Sequence, residues 1–199
     1  MKPKVLKPKK CKNCRGTFTP ISSLSQACGL ECAIALVDKE KAKAARAKRL
    51  QEHRADKVKR EKLKNIATLI REAQVAFNAF IRERDKQAGH RCISSNRPLD
   101  WSGNGVDAGH YRSRGAAPHL RFNEANCHAQ SKQDNRYGSG NVVEYRLNLI
   151  ARIGLAAVEA LEADNTVHKW TREELIEIKA TYQRKLKELR AAAEKKETA

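Results

Sequence analysis

The chain has 199 residues, of which 40% are hydrophobic and 32% charged, and its formal net charge is +18. This length and composition fit one or two small domains with modest cores, and the positive charge favours a polyanionic partner, above all nucleic acid. No apolar run approaches the ~20 residues that cross a bilayer, and the N-terminal Met-Lys-Pro-Lys does not begin a secretory signal, so we expect a cytoplasmic protein without a membrane partner.

The first 32 residues combine a basic arm with a metal-binding pattern. Residues 1–10 contain five lysines and two prolines and are expected to be flexible. Two cysteine pairs follow, Cys11 with Cys14 and Cys28 with Cys32, and 13 residues separate the pairs. Two such pairs can surround one tetrahedral Zn²⁺, and so short a module needs a cross-link of this kind to fold. The sequence therefore predicts a structural zinc; a catalytic zinc is disfavoured, because four thiolates leave no open position.

Residues 33–88 carry the largest share of the positive charge, with a net charge of +8. As far as Lys64 the segment is mostly Ala, Lys, Arg and Glu, which predicts a long exposed helix within a helical linker. The candidate DNA-binding cations on it are Arg46, Lys48, Arg49, Arg54, Lys57 and Arg60. From Ile66 to Phe80 apolar residues recur every three or four positions, which predicts a helical face that packs against the next segment and ends near Gly89.

Residues 89–140 contain the most informative spacing in the chain. His110 is followed after 16 residues by Asn126 and after 9 more by Asn135. This is the spacing of an HNH-type (His-Me finger) nuclease, in which two short strands and a helix surround one divalent metal. We expect the helix of this finger to run from Asn126 to about Tyr137. The alternative is a surface histidine beside Asn-rich turns.

Each of these side chains has a chemical role in the nuclease interpretation. A neutral imidazole suits His110 as the general base that takes a proton from water. Asp107 and Asn135 would supply oxygen ligands to Mg²⁺ or Mn²⁺. Asn126 would hold the loop backbone and so orient the imidazole. Nearby residues with candidate secondary contacts to DNA or phosphate are Arg112, Arg114, His119 and His128.

From residue 141 to residue 199 the sequence predicts helices. Asn141 to Glu144 resembles a capping box, Gly154 interrupts the helix that follows, and Thr171 to Glu174 is a second capping box. Apolar residues from Leu175 to Leu189 give the last helix a buried face. This face could pair with the earlier apolar face within one chain or between two, so a homodimer is left open.

Several motifs together resemble one known family. They are the paired cysteines, Phe77-Asn-Ala-Phe-Ile-Arg-Glu-Arg-Asp, Arg97-Pro-Leu-Asp, Ala108-Gly-His-Tyr-Arg-Ser-Arg-Gly and Asn141-Val-Val-Glu-Tyr-Arg. Over essentially its whole length the chain resembles the NinG (Rap) recombination endonucleases of lambdoid phages. The resemblance implies a nuclease that nicks branched DNA such as Holliday junctions and D-loops with Mg²⁺ or Mn²⁺, in a bacterial host cell, beside phage and host recombination proteins.

One pattern of HNH fingers is degraded in this sequence. Many such fingers are held by a zinc clamp of two CxxC pairs, and the equivalent positions here are Cys92, Ser95, Ser131 and Asp134. Serine is a poor zinc ligand, so we expect no second zinc and expect helix packing or hydrogen bonds to hold the finger. Cys127 does not fit the clamp spacing and is expected to be a packed thiol.

The sequence thus predicts a mainly α protein with a small irregular ββα-metal finger. Its expected parts are a basic arm and zinc module at 1–32, a long basic helix and linker at 33–88, an HNH-like finger at 89–140 and a helical region at 141–199. Structure-specific DNA endonuclease activity is the leading interpretation. The alternatives are a non-catalytic, zinc-containing architectural DNA-binding protein and an RNA-binding protein, the latter disfavoured by an aromatic content of only 5%.

Overall fold

The computed structural model describes residues 6–138 and 140–197, so the first half of the expected basic arm lies outside the described residues. The chain divides into two compact units, Met1–Leu63 and Lys64–Ala199. Both units are mostly helical, and each contains one small antiparallel sheet. None of the helices in the described ranges is long and apolar enough to cross a bilayer.

The first unit consists of strands β1 (Lys9–Lys10) and β2 (Thr17–Phe18) and helix α1 (Leu30–Leu63). Lys9 pairs with Phe18, so this end of the basic arm is a strand, and the expectation of a free arm is wrong there. Helix α1 has 34 residues, all of them described, and none is buried. The prediction of a long exposed helix is confirmed.

The second unit surrounds a two-stranded sheet with helices. Its elements are α2 (Ile66–Gln87), β3 (Val106–His110), 3₁₀ turns at Pro118–Phe122 and Glu124–Asn126, β4 (Cys127–Ser131), α3 (Lys132–Arg136), α4 (Val142–Ile153), α5 (Leu155–Ala163) and α6 (Arg172–Glu197). Strands β3 and β4 are antiparallel, with Asp107 opposite Gln130 and His110 opposite Cys127.

The helix expected from Asn126 to Tyr137 is wrong over its first half. The segment from Cys127 to Ser131 is instead strand β4, and only five residues form α3. Four successive residues of β4 are buried, because α2 covers one face of the strand while other side chains cover the second face. A strand buried on both faces has no alternating pattern, and a short apolar run cannot be told from a helix by periodicity.

Helix α2 packs on the sheet and α6 packs on α2, and their apolar faces share one core. Phe77 is fully buried at the centre of this core, and its ring lies 4.8 Å from that of Tyr182 in an edge-on contact. Ala108 and Cys127 bring both strands into the same cluster. The predicted face on α2 is therefore confirmed, and it pairs with the face on α6 within one chain.

The two predicted capping boxes have different outcomes. At Thr171 the box is confirmed: the Thr171 amide and hydroxyl donate to the Glu174 carboxylate at 2.8 and 2.9 Å. At Asn141 it is wrong, since this residue has φ 46° and, in the described chain, its side chain makes no capping hydrogen bond. The left-handed turn at Gly140 and Asn141 places the Asn141 carbonyl on the helix instead, where it accepts from the Tyr145 amide at 2.9 Å.

Candidate active site and metal centre

A cleft of about 470 Å³ opens between α2, β3 and α3. It is lined by Asn78, Arg82, Asp107, Ala108, His110, Ser113, Arg114, Asn135 and Arg136. Three side chains singled out by the sequence, Asp107, His110 and Asn135, thus share one hollow although 28 residues separate the first from the last. Three arginines share it with them, which makes the cleft suited to an anionic group.

The environment of His110 keeps its imidazole neutral. Burial lowers the pKa of His110 to about 4, and the charges of Arg114 and Arg121 act in the same direction. Nε2 lies 2.9 Å from the carbonyl oxygen of Arg121. Because a carbonyl only accepts, this contact assigns the proton to Nε2 and leaves the lone pair on Nδ1. Nδ1 lies 3.7 Å from the Cys127 sulfur and is the ring nitrogen that can accept a proton.

Asp107 and Asn135 form a direct pair. The Asn135 amide nitrogen donates to Asp107 Oδ2 at 3.0 Å, and Arg136 Nε donates to the same oxygen at 3.0 Å. Across residues 6–138 and 140–197 the structure shows no donor to Asp107 Oδ1. A carboxylate and an amide oxygen, completed by water and substrate phosphate, are the donor set that Mg²⁺ accepts. These residues therefore fit a divalent cation.

Asn126 is fully buried and lies behind the cleft instead of lining it. Its side-chain oxygen accepts from the Arg112 amide at 2.8 Å. Its nitrogen donates to the carbonyls of Arg112 and Leu120 at 3.0 and 3.3 Å. Asn126 thus stabilises the loop that contains Arg121, and the Arg121 carbonyl orients the His110 ring. Its contacts are to the backbone around the catalytic candidates.

The four positions that match a zinc clamp in the sequence form one hydrogen-bonded cluster around the Asp134 carboxylate. Oδ2 of Asp134 accepts from Ser95 and Ser131 hydroxyls at 2.7 Å each and from the Cys92 thiol at 3.2 Å. The Cys92 sulfur in turn accepts from the Ser131 amide at 3.2 Å. Burial opposes ionisation here, but the three hydrogen bonds outweigh it and lower the pKa of Asp134. A hydrogen-bonded cluster therefore occupies the four positions that the sequence pattern matched to a zinc clamp.

Comparison with known sequences identifies the family. Residues 3–194 match the family described as Bacteriophage Lambda NinG protein. The chain belongs to the NinG family. Protein ninG of Salmonella phage P22 is 44% identical over 197 residues, which covers 92% of this chain and 94% of the relative. The proteins ninG of Escherichia phage lambda and Escherichia phage 933W are 44% and 43% identical, with 92% of this chain and 93% and 94% of the relatives covered. No solved structure matches the chain.

The first unit of this NinG-family chain contains a cluster of four cysteines. The sulfur atoms of Cys11, Cys14, Cys28 and Cys32 all lie within 4.8 Å of one another. Four thiolates at 2.3 Å from a tetrahedral Zn²⁺ would be about 3.8 Å apart, and the observed Cys14–Cys28 and Cys28–Cys32 separations are 3.6 and 3.5 Å. Backbone amides, chiefly that of Cys14, lower the pKa of Cys11 to about 6. The cluster could bind a metal such as zinc.

One predicted DNA-binding cation, Arg112, makes its hydrogen bonds within the fold. The guanidinium of Arg112 donates to the carbonyls of Leu161, Glu162 and Asp164 at the end of α5, and to the Asn165 side chain. Cations beside a helix C-terminus stabilise it, so Arg112 acts as a helix cap, and its contact with DNA stays a prediction. Arg114 is exposed and lines the cleft. The other predicted DNA-binding cations, from Arg46 to Arg60, lie exposed on α1.

The two secondary histidines do not line the cleft. His128 is buried, and its Nδ1 lies 3.1 Å from Arg84 beside the buried carboxylate of Asp85. His119 lies 3.1 Å from the Asp164 carbonyl. Three residues that line the cleft were not among the predicted site residues: Asn78 and Arg82 on α2, and Arg136 on α3. On α2 the signal was present, since both residues lie off the apolar face in an otherwise buried helix.

Proposed function

We propose that this NinG-family protein is a divalent-metal-dependent DNA endonuclease that hydrolyses phosphodiester bonds in branched DNA. The observation that carries the proposal is the cleft in which a neutral His110, the Asp107–Asn135 pair and three arginines meet. A base, a cation site and positive charge around one hollow are the elements that phosphodiester hydrolysis requires. The cysteine cluster would hold a structural zinc.

Each side chain has one task in the proposed reaction. Nδ1 of His110 would exchange its contact with the Cys127 sulfur for the attacking water and take the proton of that water, while the Arg121 carbonyl keeps the ring oriented. Arg82 and Arg114 bind the non-bridging oxygens of the phosphate. Asp107 and Asn135 offer oxygen ligands to Mg²⁺ or Mn²⁺. When bound, the cation supplies charge stabilisation at the scissile phosphate and the leaving oxygen.

Branched DNA is proposed as the substrate on two grounds. The family resemblance implies it, and the chain carries exposed cations on α1 as well as arginines in the cleft. Contacts of this kind recognise backbones irrespective of sequence. We therefore expect affinity for a four-way junction to fall steeply as salt is raised.

The decisive test is a cleavage assay with a labelled four-way junction and Mn²⁺. His110→Ala should abolish nicking while junction binding, measured in a chelator, stays within about twofold of the parent protein. His90→Ala is the matched control, because this imidazole does not line the cleft, and it should cut normally. Equal nicking by His110→Ala and the parent would refute the proposal, as would nicking that persists after complete chelation.

One observation favours a second candidate function, non-catalytic binding of branched DNA. Asp107 Oδ2 is already engaged by Asn135 and Arg136, so a cation must compete with the Arg136 ion pair. If the parent protein bound the junction tightly but never nicked it with Mg²⁺ or Mn²⁺, this alternative would be favoured. Arg136→Ala separates the two, since releasing Asp107 should lower the metal concentration required for cleavage only in a true nuclease.

A further inference from the structure

A second cleft adjoins the candidate active site. Its volume is about 320 Å³, and it shares Arg82 and Asp107 with the first cleft. The other residues that line it are Ala79, Glu83, Lys86, Trp101, Gly103, Asn104, Val106 and Arg190. A tryptophan and three basic side chains thus lie immediately beside the proposed catalytic centre.

Trp101 has the environment of a stacking surface. Its side chain is half-buried in the loop before β3, and no aromatic ring packs on it in the part of the chain that the structure describes. The second tryptophan, Trp170, differs: its ring packs edge-on against Phe122 at 5.0 Å and its Nε1 donates to the Pro118 carbonyl. Trp170 is therefore part of the folded core, whereas the Trp101 ring faces a cleft.

The second cleft is lined by three cations and by two carboxylates, Glu83 and Asp107. Within the described ranges, the structure shows no carboxylate partner for Arg82 or Lys86. Arg190 does have one, Glu83, at 3.1 Å. Cations beside an accessible aromatic ring are the combination by which proteins hold single-stranded nucleic acid, with charge for the backbone and a ring for a base.

The same groove continues on the other side of the active site. A third cleft of about 330 Å³ shares Asn78 and Arg114 with the first and includes Arg71 and Arg121. Residues of α2 line all three clefts, from Ala67 to Lys86. At 1.5 Å per residue this stretch is about 28 Å long. The catalytic candidates lie in its middle, with cations towards both ends.

We propose that this groove along α2 binds one DNA strand and that Trp101 stacks on an unpaired base of that strand, next to the scissile phosphate at His110. The inference rests on the proposed nuclease function and deepens it. Bases inside a duplex have both faces covered by their neighbours, so Trp101 can only receive a base that has left the stack. A branch point supplies such bases, and the subsite would therefore select for branched over fully paired DNA.

The test uses binding alone, so that it stays separate from cleavage. The background is His110→Ala in a chelator, and the probe is a forked DNA that carries 2-aminopurine at successive unpaired positions. Stacking on Trp101 should quench the probe at one position near the branch. Trp101→Ala should abolish the quench and weaken fork binding roughly 5- to 150-fold, as expected for loss of one base–aromatic stack, while a fully paired duplex of equal length binds unchanged.

Two controls keep the result interpretable. Trp101→Phe keeps an aromatic face and should restore most of the fork affinity, which a merely unfolded variant would not. Circular dichroism should show that Trp101→Ala remains folded. Equal binding of fork and duplex by Trp101→Ala and the parent would overturn the inference, and so would an equal loss on both substrates. A stack that forms in a protein that never cuts would instead refute the nuclease proposal.

Discussion

Asp134 is expected to hold the loop at 92–95 against the end of β4 by hydrogen bonds, without a metal. Its Oδ2 accepts from two hydroxyls and a thiol that belong to the loop at 92–95 and to the end of β4. It is also the residue before Asn135, so the same cluster anchors the short helix that presents Asn135 to Asp107. Asp134→Ala should therefore loosen both the loop and the candidate metal ligands.

The size of the effect follows from the contacts. A hydrogen bond to a charged acceptor contributes about 1.5–3 kcal/mol when it is well buried. Asp134 is only half-buried, and the released hydroxyls can turn towards water. Two such bonds at 2.7 Å and a weaker thiol contact then amount to about 2–4 kcal/mol for Asp134→Ala. Asp134→Asn retains one acceptor oxygen and should cost roughly half of this.

Urea unfolding followed by tryptophan fluorescence measures this directly, because both tryptophans lie in the second unit. A loss below about 0.5 kcal/mol, the range of ordinary surface substitutions, would show that the cluster does not hold the loop at 92–95 to the end of β4.

A second experiment replaces the hydrogen-bonded cluster with a set of metal ligands. Ser95→Cys, Ser131→Cys and Asp134→Cys together with Cys92 supply four thiolates, and zinc content should rise by one ion per chain. An unchanged zinc content would contradict the convergence of these four positions.

Two further predictions concern acid and zinc. His110 and His128 both have their pKa lowered to about 4, chiefly by burial, so protons bind the unfolded chain more tightly. The free energy of unfolding should keep its full value above pH 6.5 and fall by up to about 3 kcal/mol per histidine between pH 6.5 and 4. If a His128→Gln protein lost as much free energy of unfolding over this range as the parent protein, the prediction would be contradicted. Cys11→Ser should lower the zinc content by one ion and reduce the helicity of the first unit, and a parent protein purified without zinc would refute the metal centre.

Periodicity in the sequence was sufficient to predict the long helices. The apolar spacing from Ile66 to Phe80 predicted the core face of α2, and the absence of such spacing predicted an exposed α1. Both signals are local, since a helix shows its buried side within a few turns. The capping box at Thr171 could also be predicted, because it involves residues only three positions apart.

The features that could not be predicted depend on distant parts of the chain. Helix α2 covers one face of strand β4, and on the other face the Gln130 side chain of the strand is buried against Ser94 and Gly140. Because both faces are covered, apolar and polar residues do not alternate along the strand. Arg112 was assigned to DNA by its charge, whereas the end of α5 that it caps lies about 50 residues later. Within the site, the spacing of His110 and Asn135 predicted two residues that line the cleft. Arg82 of α2 could not be predicted, because only tertiary packing brings this helix to the cleft.

The exposed helix α1 determines how this protein should melt. Every one of its 34 residues is described and none is buried, while Cys11 and Pro20 are the only buried residues of the first unit among residues 6–63. A helix without a buried face unfolds gradually, whereas the core of α2 and α6 should be lost in a single cooperative step. Heating should therefore give a sloping loss of ellipticity before a sharp transition, and one melting temperature will not describe the whole chain.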